Sequence, residues 1–357
     1  MGDCLVNRFD HIEVATKDIH VMEKLFGELG FVCTQRREHD EGLQKLLVQG
    51  QIRVLLTQGR PGTFACDYVE KHGEGVCNIA YTVSDAKATW EKALLRGAEN
   101  AQKYFVQEDP ATQLKVGFAA IRSFGDVRAT FVERSGAAFD VHACFAPGFE
   151  FTGQENLKDL GLLSIDHLTN NVEMGKMEHW AYFYKQIYGW VEARYFDIKA
   201  SQTGLHSKVL QSPDGAVKIP INEATEAKSQ IQEFIDMHKG AGVQHIALTT
   251  NNIRQTVKSL KDRGFKFLEM PKTYYDDVVK RVQNVKEPIP DLAELDILVD
   301  GDEKGYLLQI FTENQIGPLF FEIIQRRGNN GFGEGNFKAL FEAIERDQIK
   351  RGVLQAV

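Results

Sequence analysis

The chain has 357 residues, enough for two domains of ordinary size. Its composition, 43% apolar and 26% charged, is that of a globular protein, and a net charge of -8 argues against nucleic acid as a partner. No run of about 18 apolar residues is present to span a membrane.

The N-terminus, Met1-Gly2-Asp3-Cys4, has no basic stretch followed by an apolar one, and Val6 stands where myristoylation needs Ser or Thr. Cys4, Cys33, Cys66, Cys77 and Cys144 are odd in number and form no C-x-x-C pair, which predicts free thiols in a reducing compartment. A cytoplasmic protein is expected.

Asp10-His11-Ile12 opens an apolar strand, followed by an amphipathic helical stretch ending at Gly30-Phe31. Gly75-Val76-Cys77-Asn78-Ile79-Ala80 reads as a second such opening, with Arg96-Gly97 beyond the helix after it. Arg134-Ser135-Gly136 closes an apolar strand. Pro147, Gly148 and Gly153 then interrupt the pattern and place a boundary near residues 147–160, dividing the chain into domains 1–152 and 153–357.

Beyond the boundary the chain resembles itself. Asp166-His167-Leu168 echoes the first opening, and its helical stretch ends at Gly189-Trp190. Gly242-Val243-Gln244-His245-Ile246-Ala247 echoes the second, and Arg263-Gly264 keeps the same offset from Arg96-Gly97. Gly242–Thr250 is short and apolar, as a buried strand should be. In Asn251–Lys261, Ile253, Val257 and Leu260 recur at helical spacing. Arg326-Arg327-Gly328 closes the final strand. Similarity at a fixed offset implies duplicated architecture: an α+β fold of four βαβββ modules, two per domain. After the turn Asn329-Asn330-Gly331, Phe337, Leu340, Phe341 and Ile344 predict a C-terminal helix with one apolar face, packed on the second domain.

Overlaying the halves sets His167 against His11, His245 against Asn78 and Glu322 against Thr130. One half offers two imidazoles and a carboxylate; the other has lost two of the three. Two neutral histidines and one carboxylate on one face, with open positions, form the facial triad of non-haem iron(II) oxygenases. Structural zinc would fill all four positions. A lone histidine in an apolar strand is ordinarily a hydrogen-bonded core residue, but a glutamate inside Leu-Phe-Phe-Glu-Ile-Ile is costly to bury unpaired. Phe320, Glu322 and Ile324 share one strand face, as do Ile165, His167 and Thr169. Gly331-x-Gly333-x-Gly335 lacks the Lys-Ser/Thr of a phosphate loop and reads as a hinge or cap.

Four segments resemble the 4-hydroxyphenylpyruvate dioxygenase family. They are Gly240-Ala241-Gly242-Val243-Gln244-His245-Ile246-Ala247, Leu308-Gln309-Ile310-Phe311-Thr312, Phe321-Glu322-Ile323-Ile324-Gln325-Arg326 and Gly331-Phe332-Gly333-Glu334-Gly335-Asn336-Phe337. The resemblance covers nearly the whole chain. It implies a vicinal-oxygen-chelate (glyoxalase-like) fold of two open barrels, with a degenerate N-terminal domain. It implies one Fe2+ per chain on His167, His245 and Glu322. It implies polar pocket residues at Ser207, Asn222, Gln230, Gln244 and Gln309, and an aromatic wall and lid at Phe311, Phe320, Phe332, Phe337 and Phe341. Regular alternation would turn Gln244 away from His245. Ala224 departs from the proline the family often has there. The implied reaction takes 4-hydroxyphenylpyruvate and O2 to homogentisate and CO2, in tyrosine and phenylalanine catabolism, by a homo-oligomer (dimer or tetramer). Hydroxymandelate synthase and an extradiol ring-cleaving dioxygenase are alternatives on the same fold, and a non-catalytic binding protein is an alternative of another class.

Overall fold

The computed structural model describes residues 4–6, 8–134, 140–154, 159–199, 203–337, 339, 348–349 and 352. The first module comprises β1 (Phe9–Ala15), α1 (Ile19–Glu28), β2 (Val32–His39), β3 (Gly42–Gln49) and β4 (Ile52–Gly59). Helix α2 (Phe64–His72) leads to the second: β5 (Gly75–Thr82), α3 (Ala86–Leu95), β6 (Asn100–Asp109), β7 (Leu114–Arg122) and β8 (Arg128–Arg134). After the short β9 (Glu150–Phe151) the third begins with β10 (Leu162–Val172) and α4 (Met177–Phe183), which runs into a π-helical turn at Tyr184–Tyr188. It continues with β11 (Val191–Lys199), β12 (Gly204–Gln211) and β13 (Lys218–Ala224), and α5 (Gln230–His238) follows. The fourth contains β14 (Gly242–Thr250), α6 (Ile253–Asp262), α7 (Thr273–Arg281), α8 (Ile289–Glu294), β15 (Leu298–Asp302), β16 (Gly305–Phe311) and β17 (Phe320–Arg327).

Among the described residues the strands form two sheets with one plan. The first runs β6-β7-β8-β5-β1-β4-β3-β2-β9 and the second β11-β12-β13-β10-β14-β17-β16-β15. In each, the opening strands of the two modules pair antiparallel at the centre (β1 with β5, β10 with β14). Each of those strands also pairs parallel with the closing strand of its own module. The predicted α+β duplication is therefore present. One difference is that α7 and α8 are inserted between α6 and β15; the wider gap from Arg263 to Arg326 than from Arg96 to Arg134 accommodates them.

Local chemistry fixes the elements. In α6 the Asn252 side chain caps the helix by accepting from the Gln255 N–H, and Ile253, Val257 and Leu260 are buried along one stripe, as their spacing predicted. The repeated Arg-Gly pair after α3 and α6 has a structural role across the halves. Arg263 donates to the Gly27 and Glu28 carbonyls at the end of α1, and Arg96 donates to the Ile187 carbonyl in the π-turn. Each arginine thus satisfies helix-end carbonyls belonging to the other half. An apolar core continues through both sheets, and Phe26 of α1 meets Phe321 of β17 edge-on at 5.9 Å. All five cysteines are free. No helix among the described residues is long and apolar enough to cross a membrane.

Candidate metal centre

His167, His245 and Glu322 sit on β10, β14 and β17, three neighbouring strands at the middle of the second sheet. Register explains their convergence. His167 lies opposite Ala247, and Ala247 lies opposite Glu322, so the three form a row across the sheet with the smallest side chain in the middle. His245 stands two residues before Ala247 and shares its face. The methyl group of Ala247 leaves room above it, and the three polar groups close over that room. His167 Nε2 lies 3.3 Å from Glu322 Oε2, His245 Nε2 lies 3.4 Å from the same oxygen, and the two Nε2 atoms are 3.4 Å apart. All three residues are buried, and their donor atoms fall within 4.8 Å of one another.

Each of these groups is oriented by a partner. His167 Nδ1 donates to Asp166 Oδ1 at 2.8 Å, and Asp166 is held by the Arg326 guanidinium through two bonds of 2.7 Å. His245 Nδ1 donates to Gln244 Oε1 at 3.0 Å. Gln309 Nε2 donates to Glu322 Oε1 at 3.0 Å, and Asn336 Nδ2 donates in turn to Gln309 Oε1 at 2.9 Å. With both Nδ1 atoms protonated, both Nε2 lone pairs aim at one point. The Thr169 hydroxyl lies 2.9 Å from His245 Nε2 and competes with a cation for that lone pair.

Asp166 and Gln244 immediately precede the histidines they orient, and regular alternation would put them on the opposite face. Bulges remove the conflict. Register shifts between Ile165 and His167, and between Thr169 and Asn170, leave Asp166 and Gln244 as the extra residues of their strands. The expectation that Gln244 faces away from His245 is corrected on this ground. Asp166, Arg326, Thr169 and Asn336 were not singled out by sequence reasoning as functional. The Asp-His dipeptide and the closing arginine were visible only as marks of the repeat.

The electrostatics favour a positive charge at the point of convergence. Burial opposes ionisation of Glu322, but the two imidazoles beside it hold its carboxyl well below the usual range. Burial pulls His167 down, yet the Glu322 and Asp166 carboxylates overrule it and raise it above its ordinary value. His245, with burial dominant, is lowered and stays a neutral donor. Two imidazole nitrogens and an ionised carboxylate oxygen, buried together and oriented from behind, fit a divalent transition-metal ion with open positions.

The remaining predicted residues surround this cluster. Phe320 stacks on the His245 ring at 4.9 Å, Phe311 meets the same ring edge-on at 6.3 Å, and Phe332 meets His167 edge-on at 5.5 Å. Gln230, at the start of α5, lines a cavity of about 390 Å³ together with Gln244 and Phe320. Asn222 donates to Asn171 Oδ1 at 3.3 Å and to Gln244 Oε1 at 3.5 Å, and buried Ser207 pairs with Asn222 across β12 and β13. Phe337 packs edge-on against Phe196 at 5.0 Å rather than against the three donors. Leu340, Phe341 and Ile344, and with them the predicted apolar helix face, lie outside the described residues.

A family profile described as "Hydroxyphenylpyruvate dioxygenase, HPPD, N-terminal" matches residues 3–143, and "Glyoxalase/Bleomycin resistance protein/Dioxygenase superfamily" matches residues 164–310. The chain is 44% identical to Hemolysin VllY of Vibrio vulnificus, over 97% of this chain and 96% of that protein. It is 41% identical to 4-hydroxyphenylpyruvate dioxygenase of Legionella pneumophila, over 99% of this chain and 97% of that protein. A solved variant of 4-hydroxymandelate synthase from Streptomyces coelicolor superposes with a TM-score of 0.84 at 30% identity, covering 96% of this chain and 99% of that one.

Proposed function

Because the chain belongs to the 4-hydroxyphenylpyruvate dioxygenase family, we propose that it converts 4-hydroxyphenylpyruvate and O2 to homogentisate and CO2 at one iron(II) held by His167, His245 and Glu322. The observation that carries this reading is the buried convergence of two imidazole nitrogens and one carboxylate oxygen within 4.8 Å. Ferrous iron, when bound there, supplies the redox chemistry that couples reduction of dioxygen to decarboxylation of a 2-oxo acid.

The chain's own residues hold, orient and shield. Asp166, Gln244 and Gln309 fix the donor atoms so that little reorganisation is needed on binding. Gln230, Asn222 and Ser207 offer amide and hydroxyl groups to orient the phenol end of the substrate. Phe311, Phe320 and Phe332 keep water from the reacting face. Phe337, which packs on Phe196, and Phe341 are assigned to the lid of the pocket by the family resemblance alone. Residues 153–357 carry the reaction, and residues 1–152 carry no metal. A cytoplasmic homo-oligomer completes the reading.

The similarity to 4-hydroxymandelate synthase keeps a second product in view, since the same substrate oxidised at the benzylic carbon gives 4-hydroxymandelate. Chromatography of the products from iron-loaded protein, 4-hydroxyphenylpyruvate and O2 decides between them. Homogentisate with one CO2 per O2 consumed is expected. 4-Hydroxymandelate would establish the alternative, and oxygen uptake with a catechol but not with the 2-oxo acid would overturn both.

A further inference from the structure

The first sheet lines an open cavity of about 540 Å³, larger than the one of about 390 Å³ beside the candidate metal centre. It occupies the place in the N-terminal half that the metal centre occupies in the other. Register puts His11 opposite Ala80 and Ala80 opposite Thr130, with Asn78 two residues before Ala80, so these residues stand where the three metal donors stand in the second sheet. The positions have not been refilled with apolar side chains. They form part of an ordered polar wall.

Hydrogen bonds in that wall converge on Glu13. Thr57 Oγ1 donates to Glu13 Oε1 at 2.7 Å, and Asn78 Nδ2 donates to Glu13 Oε2 at 3.1 Å. Each donor is fixed from behind, Thr57 by Gln44 at 3.2 Å and Asn78 by Thr130 at 2.8 Å. The carboxylate is thereby held in one orientation at the cavity wall. Arg128 also lines the cavity. Its guanidinium carbon lies 3.5 Å from the centroid of the Phe64 ring, and the group has no hydrogen-bond acceptor among the described residues. Glu13 makes no ion pair among those residues either. Arg128 and Glu13 attract one another without forming an ion pair, and two such opposite charges lining one cavity can each gain a charge-assisted bond from a ligand carrying both signs. The wall also carries Arg37, His39, Asp40, Glu41, Gln102 and Gln107, beside an aromatic portion in which Phe105 stacks on Phe118 at 5.4 Å and Phe145 meets His11 edge-on at 5.0 Å.

We propose that the N-terminal barrel is a binding site for a free α-amino acid with an aromatic side chain. The carboxylate is taken by Arg128, the ammonium by Glu13, and the ring lies among Phe105, Phe118 and Phe145. The inference concerns the N-terminal half alone and stands or falls independently of the reaction assigned to the metal centre. A 2-oxo acid lacks the ammonium group, so the two halves would discriminate between an amino acid and its oxo analogue.

The test is calorimetric titration of the iron-loaded full chain with L-phenylalanine, 3-phenylpropanoate and phenethylamine, the last two lacking one charge each. L-Phenylalanine should bind, each singly charged analogue should bind about tenfold more weakly or worse, and Arg128→Gln should weaken L-phenylalanine by a similar factor. Hydrogen exchange on the unsubstituted protein locates the site without relying on a variant: L-phenylalanine should slow exchange in β1, β5 and β8. No heat with L-phenylalanine at tens of millimolar, equal binding of the singly charged analogues, or protection confined to β10, β14 and β17 would each overturn the proposal.

Discussion

Asp166 orients a candidate donor without being one of the three that converge. It accepts from His167 Nδ1 and is held by Arg326 in a bidentate pair, and that pair keeps its carboxyl far below the usual range against the opposing effect of burial. Asp166→Asn keeps the size of the side chain but removes its charge. Loss of such an orienting carboxylate lowers metal affinity roughly 10–100-fold, and leaving Arg326 without its counter-charge costs about 3 kcal/mol. Iron titration should report the first effect, and urea unfolding of the metal-free protein the second. Unchanged metal affinity would show that His167 needs no such support. The role of Asp166 was not readable from the sequence because alternation assigns it to the wrong face. A bulge is a property of strand pairing, and period-two reasoning on one strand cannot contain it. The candidate ligands were readable, because the repeat set two of them against counterparts lacking the chemistry, Asn78 for His245 and Thr130 for Glu322, and the third, His167, against a matching His11.

At the scale of elements, the segment that follows β17 is fitted tightly to the candidate metal centre. Gly333 adopts φ +76°, a conformation that L side chains rarely take, and a Cβ there would fall 1.7 Å from Gln309 Oε1. Reading Gly331-x-Gly333-x-Gly335 as a hinge or cap captured the turn but not this approach. Gly333→Ala should push Gln309 off Glu322 and Asn336, lowering turnover and iron affinity together while leaving far-ultraviolet circular dichroism unchanged. Full activity in that variant would show that the Gln309 bond to Glu322 is dispensable. The strands and helices of each module were legible from hydrophobic periodicity and the repeat, as β14 and α6 illustrate. Helices α7 and α8 were not, since they occur in one module only and no internal counterpart marks them.

Across the whole molecule, the halves meet through aromatic and imidazole groups whose protonation matters. His238, ending α5, accepts a contact of 3.0 Å from the Tyr68 hydroxyl of the other half and stacks on His72 at 4.6 Å, with Asp126 beyond His72. Burial, reinforced by His72, depresses His238 from 6.5 to about 4. Between those two values the unfolded chain binds the proton that the folded chain excludes, so this contribution to stability is complete above about pH 6.5 and is lost progressively as the pH falls to about 4. Its full size is on the order of 3 kcal/mol. Urea unfolding at pH 7 and pH 5 should show a loss for the unsubstituted protein that is smaller in His238→Gln; equal losses would remove His238 from the account.

The account as a whole depends on His167, His245 and Glu322 holding a ferrous ion whose remaining positions accept a 2-oxo acid. Anaerobic titration of the metal-free protein with Fe(II), followed by 4-hydroxyphenylpyruvate, reads this by the visible charge-transfer absorption of the chelate. The expected result is a band that saturates at one iron per chain, is absent from Glu322→Ala, and is lost as homogentisate forms when oxygen is admitted. An undiminished band and homogentisate formation in Glu322→Ala would contradict it.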